Sequence, residues 1–332
     1  MLAELEARAD AFPGELVSIY LGGGTPSLWR PDCIAAAIAA IRARYGHAVP
    51  REVTIEANPT DCTDGNLAAW RAAGIDRVSI GVQSLEPQAL ITLGRDHRFG
   101  DGRAAVERSI AAGLTTSADF ILGTPGSAAP VETLGADHLS VYELTIEERT
   151  AFGQRVRDGR LVPLDEDRLT DLYTQTHERL VAAGFEHYEI SSYARPGKRA
   201  VHNSLYWTGA AFLGLGVGAA SLQHLPGGDG VRATNPRRVA AYLAAPGTPA
   251  ERVEIPAGEM LVDRLWLGLR TSDGVLEADL TPLLAQELVT DGLAERRHGR
   301  ICPTLRGFLM ADRAAGRIVQ STADLVSWSG RR

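Results

Sequence analysis

The chain has 332 residues, of which 45% are hydrophobic and 23% charged, and its formal net charge is -7 at pH 7. This length suffices for one large domain and a smaller one, with a sizeable buried core. The acidic balance disfavours nucleic acids and anionic membrane surfaces as partners, and no apolar run approaches the roughly 20 residues of a membrane span.

The first half of the chain predicts alternating strands and helices after a short amphipathic helix in MLAELEARADAFPG. That opening lacks the features of a signal peptide, so a cytoplasmic location is predicted. Repeated βα units predict a parallel sheet with right-handed crossovers, either closed into a barrel or open. The predicted strands are ELVSIYLG, EVTIEANP, DRVSIGVQS, SADFILGTPG and DHLSVYEL, and the helices between them are DCIAAAIAAIRARYG, TDGNLAAWRAAG, EPQALITLGR and GRAAVERSIAAG.

The pattern changes after about Glu148. A long helix is predicted in DEDRLTDLYTQTHERLVAAG, followed by FEHYEISSYA and a glycine-rich strand region, FLGLGVGAASL. From about Pro256 the order helix, helix, hairpin, helix indicates a winged-helix-like unit. Its hairpin contains Arg296, Arg297 and Arg300, which are few against the acidic whole, so we expect a structural cap or a protein contact there rather than DNA binding.

Polar residues and glycines follow or end the predicted strands of the first half. Parallel α/β folds bind ligands at the carboxyl ends of their strands. Consecutive glycines let a ligand approach the backbone, carboxylates accept hydrogen bonds from hydroxyl or ammonium groups, and an arginine can hold a carboxylate. Together these groups suit a zwitterion that carries a ribose. They are Gly22, Gly23, Gly24 and Thr25, then Glu56 and Asn58, then Gln83 with Arg95 beyond it, then Asp119 and Thr145.

Each of these residues also has a purely structural interpretation. The glycines could form a simple tight turn, and Glu56 could cap the segment after its strand. Gln83 could satisfy loop backbone groups, and Arg95 could be a solvated helix residue. Their joint placement at successive strand ends is what favours a ligand site.

Motifs along nearly the whole chain resemble the heme chaperone HemW family, a group of the radical S-adenosylmethionine superfamily similar to oxygen-independent coproporphyrinogen III oxidase. The resemblance covers roughly residues 15–320, and HNSLYW at residues 202–207 favours HemW over the oxidase. The motifs are YLGGGTPSLW, EVTIEANP, RVSIGVQS with LGRDH, DFILGTPG, HLSVYELTIE, YEISSYARPG, HNSLYW and GLGVGAASL.

The resemblance implies an α/β fold, an incomplete TIM-like parallel β/α barrel of the radical SAM type with a C-terminal winged-helix-like α+β unit. The expected divisions are a barrel core in 1–148 without its first strand, barrel completion and a family-specific region in 149–250, and the C-terminal domain in 251–332. It implies S-adenosylmethionine as a cofactor, heme or porphyrin as a ligand, and heme-acceptor proteins as partners. The implied S-adenosylmethionine positions are Gly23, Gly24, Thr25, Glu56, Gln83, Arg95, Asp119, Thr145 and Ala220.

The cysteines depart from the family pattern. The family holds a [4Fe-4S] cluster with a CxxxCxxC loop, whereas Cys33, Cys62 and Cys302 are widely spaced. Their number and spacing disfavour both a disulfide framework and a metal site within one loop. We therefore expect no cluster, no metal ligand and no radical catalysis from the sequence as it stands.

Two further departures concern length. The first family strand and its loop are missing, and only GSAAPVETLGA lies between Pro125 and Asp137, too short for the usual crossover helix with its connections. Either the true start lies upstream or the cluster segment has been lost, and both explanations stay open. In either case the sheet is expected to expose an apolar edge strand.

His202 is the best candidate for a heme ligand, because histidine binds heme iron and the motif adds aromatic side chains. The alternative is that HNSLYW is a strand-edge motif with Trp207 in the core. Tyr188, Glu189 and Tyr193 are similarly ambiguous between packing and ligand contact. The predicted function is a HemW-like heme chaperone. The alternatives are a coproporphyrinogen oxidase-like enzyme, if a CxxxCxxC segment lies upstream, or a degenerate non-catalytic binding module.

Overall fold

The computed structural model describes residues 1–321 apart from 97, 99, 126, 128 and 129. The described residues form two compact units. The sheet unit comprises Ser18–Ala35 and Pro50–Ala200, and the terminal unit comprises Met1–Val17, Ala36–Val49 and the chain from Val201 onward.

The strands of the described chain, in order, are β1 (Ser18–Leu21), β2 (Glu52–Ala57), β3 (Arg77–Gln83), β4 (Thr115–Leu122), β5 (His138–Glu143), β6 (Glu186–Glu189), β7 (Ser192–Ala194), β8 (Ala220–His224), β9 (Gly230–Thr234), β10 (Glu251–Ile255), β11 (Val275–Leu276), β12 (Ala294–Arg297) and β13 (Arg300–Pro303). The helices are α1 (Leu2–Arg8), α2 (Pro31–Arg44), α3 (Asp64–Ala72), α4 (Pro87–Leu93), α5 (Asp101–Ala111), α6 (Ala151–Arg157), α7 (Glu166–Ala182), α8 (Val201–Trp207), α9 (Val239–Ala244), α10 (Ala257–Gly268), α11 (Pro282–Thr290), α12 (Leu305–Leu309) and α13 (Ala311–Gln320).

The sheet unit contains one seven-stranded sheet with the order β1-β2-β3-β4-β5-β7-β6. Strands β1 to β5 are parallel, as the βα pattern predicted, and they form an open, incomplete barrel. Beyond β5 the sheet continues with β7, which pairs antiparallel with both β5 and β6. Residues 149–250 therefore do not extend the sheet with parallel strands, and the domain boundaries at 148 and 250 stay a prediction.

One register row of the sheet is polar across four parallel strands. Glu56 pairs with Ser79, Ser79 with Ser117, and Ser117 with His138. Successive side chains of a strand point to opposite faces, so the flanking residues Ile55, Val78, Ala118 and Leu139 form the apolar face, where all four are fully buried. A parallel sheet packed on both faces is apolar on both. The polar row therefore marks the face on which a ligand can bind.

The predicted edge strand and the predicted short connector can both be located among the described residues. Strand β1 lies at one end of the sheet and pairs only with β2, with Ile19 buried and its neighbours half-buried. The connector from β4 to β5 contains no helix among its described residues, although the two strands are parallel.

The C-terminal part of the terminal unit has the predicted order of helix, helix, hairpin and helix. Helices α10 and α11 precede the β12–β13 hairpin, and α12 and α13 follow it. The short strand β11 pairs with β13, which completes a three-stranded antiparallel sheet with the order β11-β13-β12. This is a winged-helix-like α+β arrangement. Its core residues are Leu265, Leu269, Val275, Leu280, Leu284, Ala285, Leu288, Leu293, Ala294, Ile301, Ala314 and Ile318.

The N-terminal helix of the same unit is held by a buried carboxylate. Glu4 accepts hydrogen bonds from Asn235 Nδ2 at 2.5 Å, from the Tyr242 hydroxyl at 2.6 Å and from the Gly216 N–H at 2.9 Å. Arg8 Nη1 lies 3.1 Å from the same side chain, one helical turn later. A fully buried charge needs such partners, and here they satisfy it. No helix of the described chain is long and apolar enough to cross a membrane.

Candidate functional site

The glycine turn after β1 requires glycine for two separate reasons. Gly23 and Gly24 have φ angles of 79° and 67°, in the left-handed region that other residues rarely adopt. Gly22 has an ordinary φ, but a Cβ there would lie 2.4 Å from Tyr20 Cε1 and 3.0 Å from Glu56 Oε1. The residues after β1 therefore form a tight glycine turn that also lies against a carboxylate, and the role of this turn in binding a ligand stays a prediction.

Glu56, inside β2, is that carboxylate. The Tyr20 hydroxyl donates to Oε1 at 2.6 Å, and the Gly23 N–H donates to Oε2 at 3.0 Å. Burial and the adjacent Glu56 both raise the pKa of Tyr20, so its hydroxyl remains a donor. Glu56 thus fixes the glycine turn rather than capping the segment after its own strand. A carboxylate has about four acceptor positions, so two further positions remain for a ligand.

Asp119, in the middle of β4, lies in a cradle of serine hydroxyls. Ser79 Oγ lies 2.8 Å from Oδ2, and Ser117 Oγ lies 3.1 Å from Oδ1. Ser140, its register partner on β5, provides a third hydroxyl contact. Burial raises the pKa of Asp119, and the three hydroxyls oppose that rise because they stabilise the ionised form. Ser79 is also the register partner of Glu56, so the two carboxylates flank one residue.

Gln83, Arg95 and Thr145 lie at or just after the carboxyl ends of β3, α4 and β5. Gln83 ends β3 with a φ of 64° at an irregularity of register, and its amide lies over Gly81. A glutamine in this backbone region is uncommon and is typical of functional positions. Arg95 follows the left-handed Gly94 that ends α4, and its side chain is exposed. Thr145 lies just beyond β5 and is exposed.

Ala220 and His202 lie in the terminal unit. Ala220 begins β8, in an antiparallel sheet with β9 and β10, and is exposed. His202 lies on helix α8 with its ring edge-on to Tyr206 at a centroid distance of 5.0 Å. The alternative interpretation of HNSLYW as a strand edge was wrong, because the segment lies in the seven-residue helix α8. Trp207 is half-buried and does not belong to the core.

The residues around β6 and β7 serve packing and internal hydrogen bonds. Tyr188, Glu189 and Tyr193 are all buried. Glu189 Oε2 accepts from the Ser191 N–H at 3.1 Å, inside the β6–β7 turn. Tyr193 stacks on His187 with a centroid distance of 4.1 Å. The Tyr188 hydroxyl lies 2.8 Å from His138 Nε2, which connects it to the polar row of the sheet.

The three cysteines do not fit a [4Fe-4S] cluster. Cys33 is exposed on α2, Cys62 is buried beside α3, and Cys302 is buried on β13. A cluster ligand must be a thiolate. Burial raises the pKa of Cys62 to about 12 and also raises the pKa of Cys302. Within the described residues no group of three His, Cys, Asp or Glu side chains could hold a metal ion.

The sequence analysis missed the residues that hold the two carboxylates. Tyr20, Ser79, Ser117, Ser140 and His138 lie inside strands, where their letters look like ordinary strand residues. Ser117 lies two residues before Asp119 on β4, and His138 lies two residues before Ser140 on β5, so the two-residue period of a strand was a signal for these two pairs. Their pairing, however, depends on register between strands, which a single sequence does not specify.

Residues 1–128 match the family model described as the Radical SAM superfamily. A solved structure, "Coproporphyrinogen III oxidase (HemN) from Escherichia coli is a Radical SAM enzyme", covers 96% of this chain and 81% of its own, with a TM-score of 0.75 and 20% identity. The open parallel barrel and the C-terminal unit therefore define a protein of the radical SAM class.

Among curated relatives, a heme chaperone HemW of Mycobacterium tuberculosis is 36% identical over 325 residues, covering 93% of this chain and 83% of the relative. The heme chaperone HemW of Escherichia coli is 35% identical over 238 residues, covering 69% and 62%. A mouse protein, "Radical S-adenosyl methionine domain-containing protein 1, mitochondrial", is 35% identical over 275 residues, covering 78% and 62%. The chain belongs to the HemW family.

Proposed function

We propose that this protein is a heme chaperone that binds heme and, at the carboxyl ends of β1 to β4, S-adenosylmethionine. The observation that carries the S-adenosylmethionine site is the contact of Glu56 with the glycine turn, two strands away from Asp119 and its serine hydroxyls. Two carboxylates that flank one register position, beside a backbone that a ligand can approach, suit a ligand with hydroxyl and ammonium groups.

In this site each residue has a distinct part. The backbone of Gly23, Gly24 and Thr25 contacts the methionine end, and Glu56 accepts from its ammonium group. Asp119 accepts from ribose hydroxyls. Within the sheet unit, Gln83, Arg95 and Thr145 are the further contacts that the family resemblance assigns.

The affinity for S-adenosylmethionine should be low, because the cysteines do not provide the cluster that would chelate the amino acid end. Two or three charge-assisted hydrogen bonds contribute about 1.5–3 kcal/mol each before the cost of ordering the ligand. We expect a dissociation constant in the high-micromolar to millimolar range. Heme transfer requires binding without turnover, so this deficit does not remove the proposed activity, whereas the oxidase alternative would need the cluster.

The titration that tests the S-adenosylmethionine site compares Glu56→Gln with Glu107→Gln, a change of an exposed glutamate on α5. Glu56→Gln and Arg95→Ala should each weaken binding about tenfold, the value of one hydrogen bond to a charged group. Gly24→Val should abolish binding, since its left-handed φ excludes a β-branched residue. Equal weak binding by all variants would show that the glycine turn is only a turn.

For heme, His202 is the proposed axial ligand. Its ring lies beside Tyr206, which in turn packs edge-on against Phe212 at 4.7 Å, so aromatic surface is available for a porphyrin. Titration with hemin should shift the Soret band to that of histidine-ligated heme, and His202→Ala should lose this shift. The control is His224→Ala, which changes an exposed histidine on β8. An unchanged spectrum in His202→Ala would place the ligand elsewhere.

We also propose a cytoplasmic location, heme-acceptor proteins as partners, and no role in nucleic-acid binding. The arginines of the C-terminal hairpin support the last point. Arg296 pairs with Glu277, Arg297 with Glu295, and Arg300 donates to backbone carbonyls. A salt titration of DNA binding tests it, and salt-dependent binding would contradict it.

A further inference from the structure

The polar row of the sheet ends at a histidine that the proposed ligand site does not use. His138, on β5, is 1% exposed and lies between two hydroxyl groups. Its Nδ1 is 2.8 Å from Ser117 Oγ, and its Nε2 is 2.8 Å from the Tyr188 hydroxyl. Ser117 in turn contacts Asp119 Oδ1 at 3.1 Å, and the Tyr188 oxygen accepts from the Ala200 N–H at 3.3 Å. These contacts form a continuous chain from Asp119 to the backbone at residue 200.

With Asp119 ionised, the chain of contacts has one arrangement of protons in which every contact is a hydrogen bond. The Ala200 N–H donates to Tyr188, and the Tyr188 hydroxyl donates to Nε2 of His138. The Nδ1–H of His138 then donates to Ser117, whose own proton is left to donate to Asp119. Each hydroxyl donates one hydrogen bond and accepts another, and the Asp119 carboxylate at the end only accepts.

The opposite tautomer of His138 breaks this chain at its charged end. If Nε2 carried the proton, Nδ1 would have to accept from Ser117. The Ser117 oxygen would then present lone pairs to the ionised Asp119 at 3.1 Å, which is repulsive. A hydrogen bond to a carboxylate is roughly twice as strong as one between neutral groups, so the Nδ1–H tautomer is favoured.

The doubly protonated form is disfavoured as well. The ring is buried, and Arg77 on β3, which is 4% exposed, lies close enough for its charge to disfavour a positive charge on the ring. Both effects lower the pKa of His138 well below its usual value, with burial the larger. The groups that face the ring are therefore Ser117, Tyr188 and the Arg77 charge, and the ring stays neutral.

We infer that His138 is a positioning residue: as the Nδ1–H tautomer it turns the Ser117 hydroxyl toward Asp119, and Tyr188 supports that tautomer. This inference rests on the proposed function in so far as Asp119 binds S-adenosylmethionine. Hydroxyls of Ser79, Ser117 and Ser140 then occupy three of about four acceptor positions on Asp119. One acceptor position then remains for a ligand, and a misdirected Ser117 would change both the hydrogen bonding and the orientation of the carboxylate.

The first test is a nitrogen NMR spectrum of the ¹⁵N-histidine-labelled full chain at pH 7, with His138 assigned by its loss in His138→Asn. We expect a protonated Nδ1 and an unprotonated Nε2. An Nε2–H tautomer or an imidazolium would overturn the inference. Tyr188→Phe should shift the Nε2 resonance of His138, because it removes the hydrogen bond to that atom. Tyr173→Phe should not, although it also deletes a buried tyrosine hydroxyl, the one that donates to the Ile190 carbonyl at 3.0 Å.

The second test measures binding of S-adenosylmethionine by ligand-observed NMR. His138→Leu should weaken binding about tenfold, the equivalent of one hydrogen bond to a charged group. His138→Asn keeps an amide N–H near the position of Nδ1 and should stay within about threefold of wild type on the same scale. Ser117→Ala should match His138→Leu, and the double variant should lose no more than either, since His138 acts through Ser117. Additive losses would overturn the inference.

The two tests separate the inference from the proposed function. If the wild-type chain shows no binding of S-adenosylmethionine, the proposed site is wrong, and the NMR signature still confirms or refutes the hydrogen-bond chain. If wild type binds and His138→Leu binds equally well while remaining folded, as checked by circular dichroism, the site stands and the positioning role of His138 is refuted.

Discussion

Gly23 donates its backbone N–H to Glu56 Oε2 across 3.0 Å, although the two residues are 33 positions apart in the chain. This bond connects the turn after β1 to the side chain of the neighbouring strand, and the Tyr20 hydroxyl reinforces it from the other carboxylate oxygen. The glycine turn is therefore shaped by its neighbour as well as by its own backbone angles. A substitution in the glycine turn should therefore alter the position of Glu56, and a substitution of Glu56 should alter the turn.

Replacing Gly22 by alanine should disrupt this arrangement. The new Cβ would lie 2.4 Å from Tyr20 Cε1, so the tyrosine ring must move and its hydrogen bond to Glu56 is lost. We expect a loss of about 1–3 kcal/mol in the free energy of unfolding, measured by urea denaturation. The control is Gly65→Ala on α3, where a Cβ meets nothing within 4 Å and stability should be kept or slightly raised. Equal stability of both variants would contradict the close contact.

Replacing Asp119 by asparagine should make the protein more stable at neutral pH, while weakening ligand binding. The folded-state pKa of Asp119 is raised by burial, so ionisation costs stability as the pH rises above the ordinary value of 3.8 and through the folded value. Asparagine cannot ionise and avoids that cost. Melting temperatures of both proteins between pH 4 and pH 8 should diverge as the pH rises. A variant that is less stable at pH 8 would show that the hydroxyl cradle outweighs burial.

The wild-type protein should lose stability as the pH falls below 6.5. The pKa of buried His138 is well below that value in the folded state, so the unfolded chain binds a proton that the folded chain does not. One such proton costs about 1.4 kcal/mol per pH unit. Burial also lowers the pKa of His187 to about 3, so more than one histidine contributes.

A comparison of variants isolates the contribution of His138 to this pH dependence of stability. His138→Asn should show a stability slope between pH 6.5 and pH 5 that is smaller than the wild-type slope by about one proton. His224→Asn, which changes an exposed histidine, should retain the wild-type slope. Urea denaturation at several pH values measures both, and parallel slopes in all three proteins would contradict a buried neutral His138.

Removing the buried carboxylate of the N-terminal helix should destabilise the terminal unit. Glu4→Ala leaves the donors of Asn235, Tyr242 and Gly216 without their shared acceptor. We expect a loss of about 3–5 kcal/mol, the usual range when one partner of a buried charged network is removed. Glu6→Ala, an exposed change on the same helix, should have little effect in the same thermal melt. A small effect of Glu4→Ala would mean that water replaces the carboxylate.

The sequence predicted the parallel part of the fold well, because buried apolar runs, turn residues and helix periods recur there at regular intervals. It did not predict the direction of β7. Its pairing with β5 depends on the tight turn between Glu189 and Ser192, and short strands of this kind carry little directional signal. The HNSLYW segment was harder to predict, since six residues of mixed polarity fit a strand edge as well as a short helix, and packing decides between them.

For the site, the expectation that ligands bind at the carboxyl ends of parallel strands identified Glu56, Asp119 and the glycine turn. It did not identify the residues that hydrogen-bond to the two carboxylates. Ser79 and Ser117 are small hydroxyl residues within strands, and nothing in their own letters distinguishes them from ordinary strand positions. They matter because the register places them beside Asp119. Register is set by the packing of the whole sheet, which is why the sequence alone could not supply these partners.

The bonds to Glu4 have a consequence for how the protein is made. This carboxylate has its partners at residues 216, 235 and 242, so the helix that carries it has no shared network to join until at least 212 further residues have been made. At ribosomal speeds of about 5–20 residues per second, that delay is on the order of 10–50 s. The sheet unit, whose strands lie between these two regions, can complete its parallel pairs during that interval. Helix α1 is thus among the last elements to reach its final contacts.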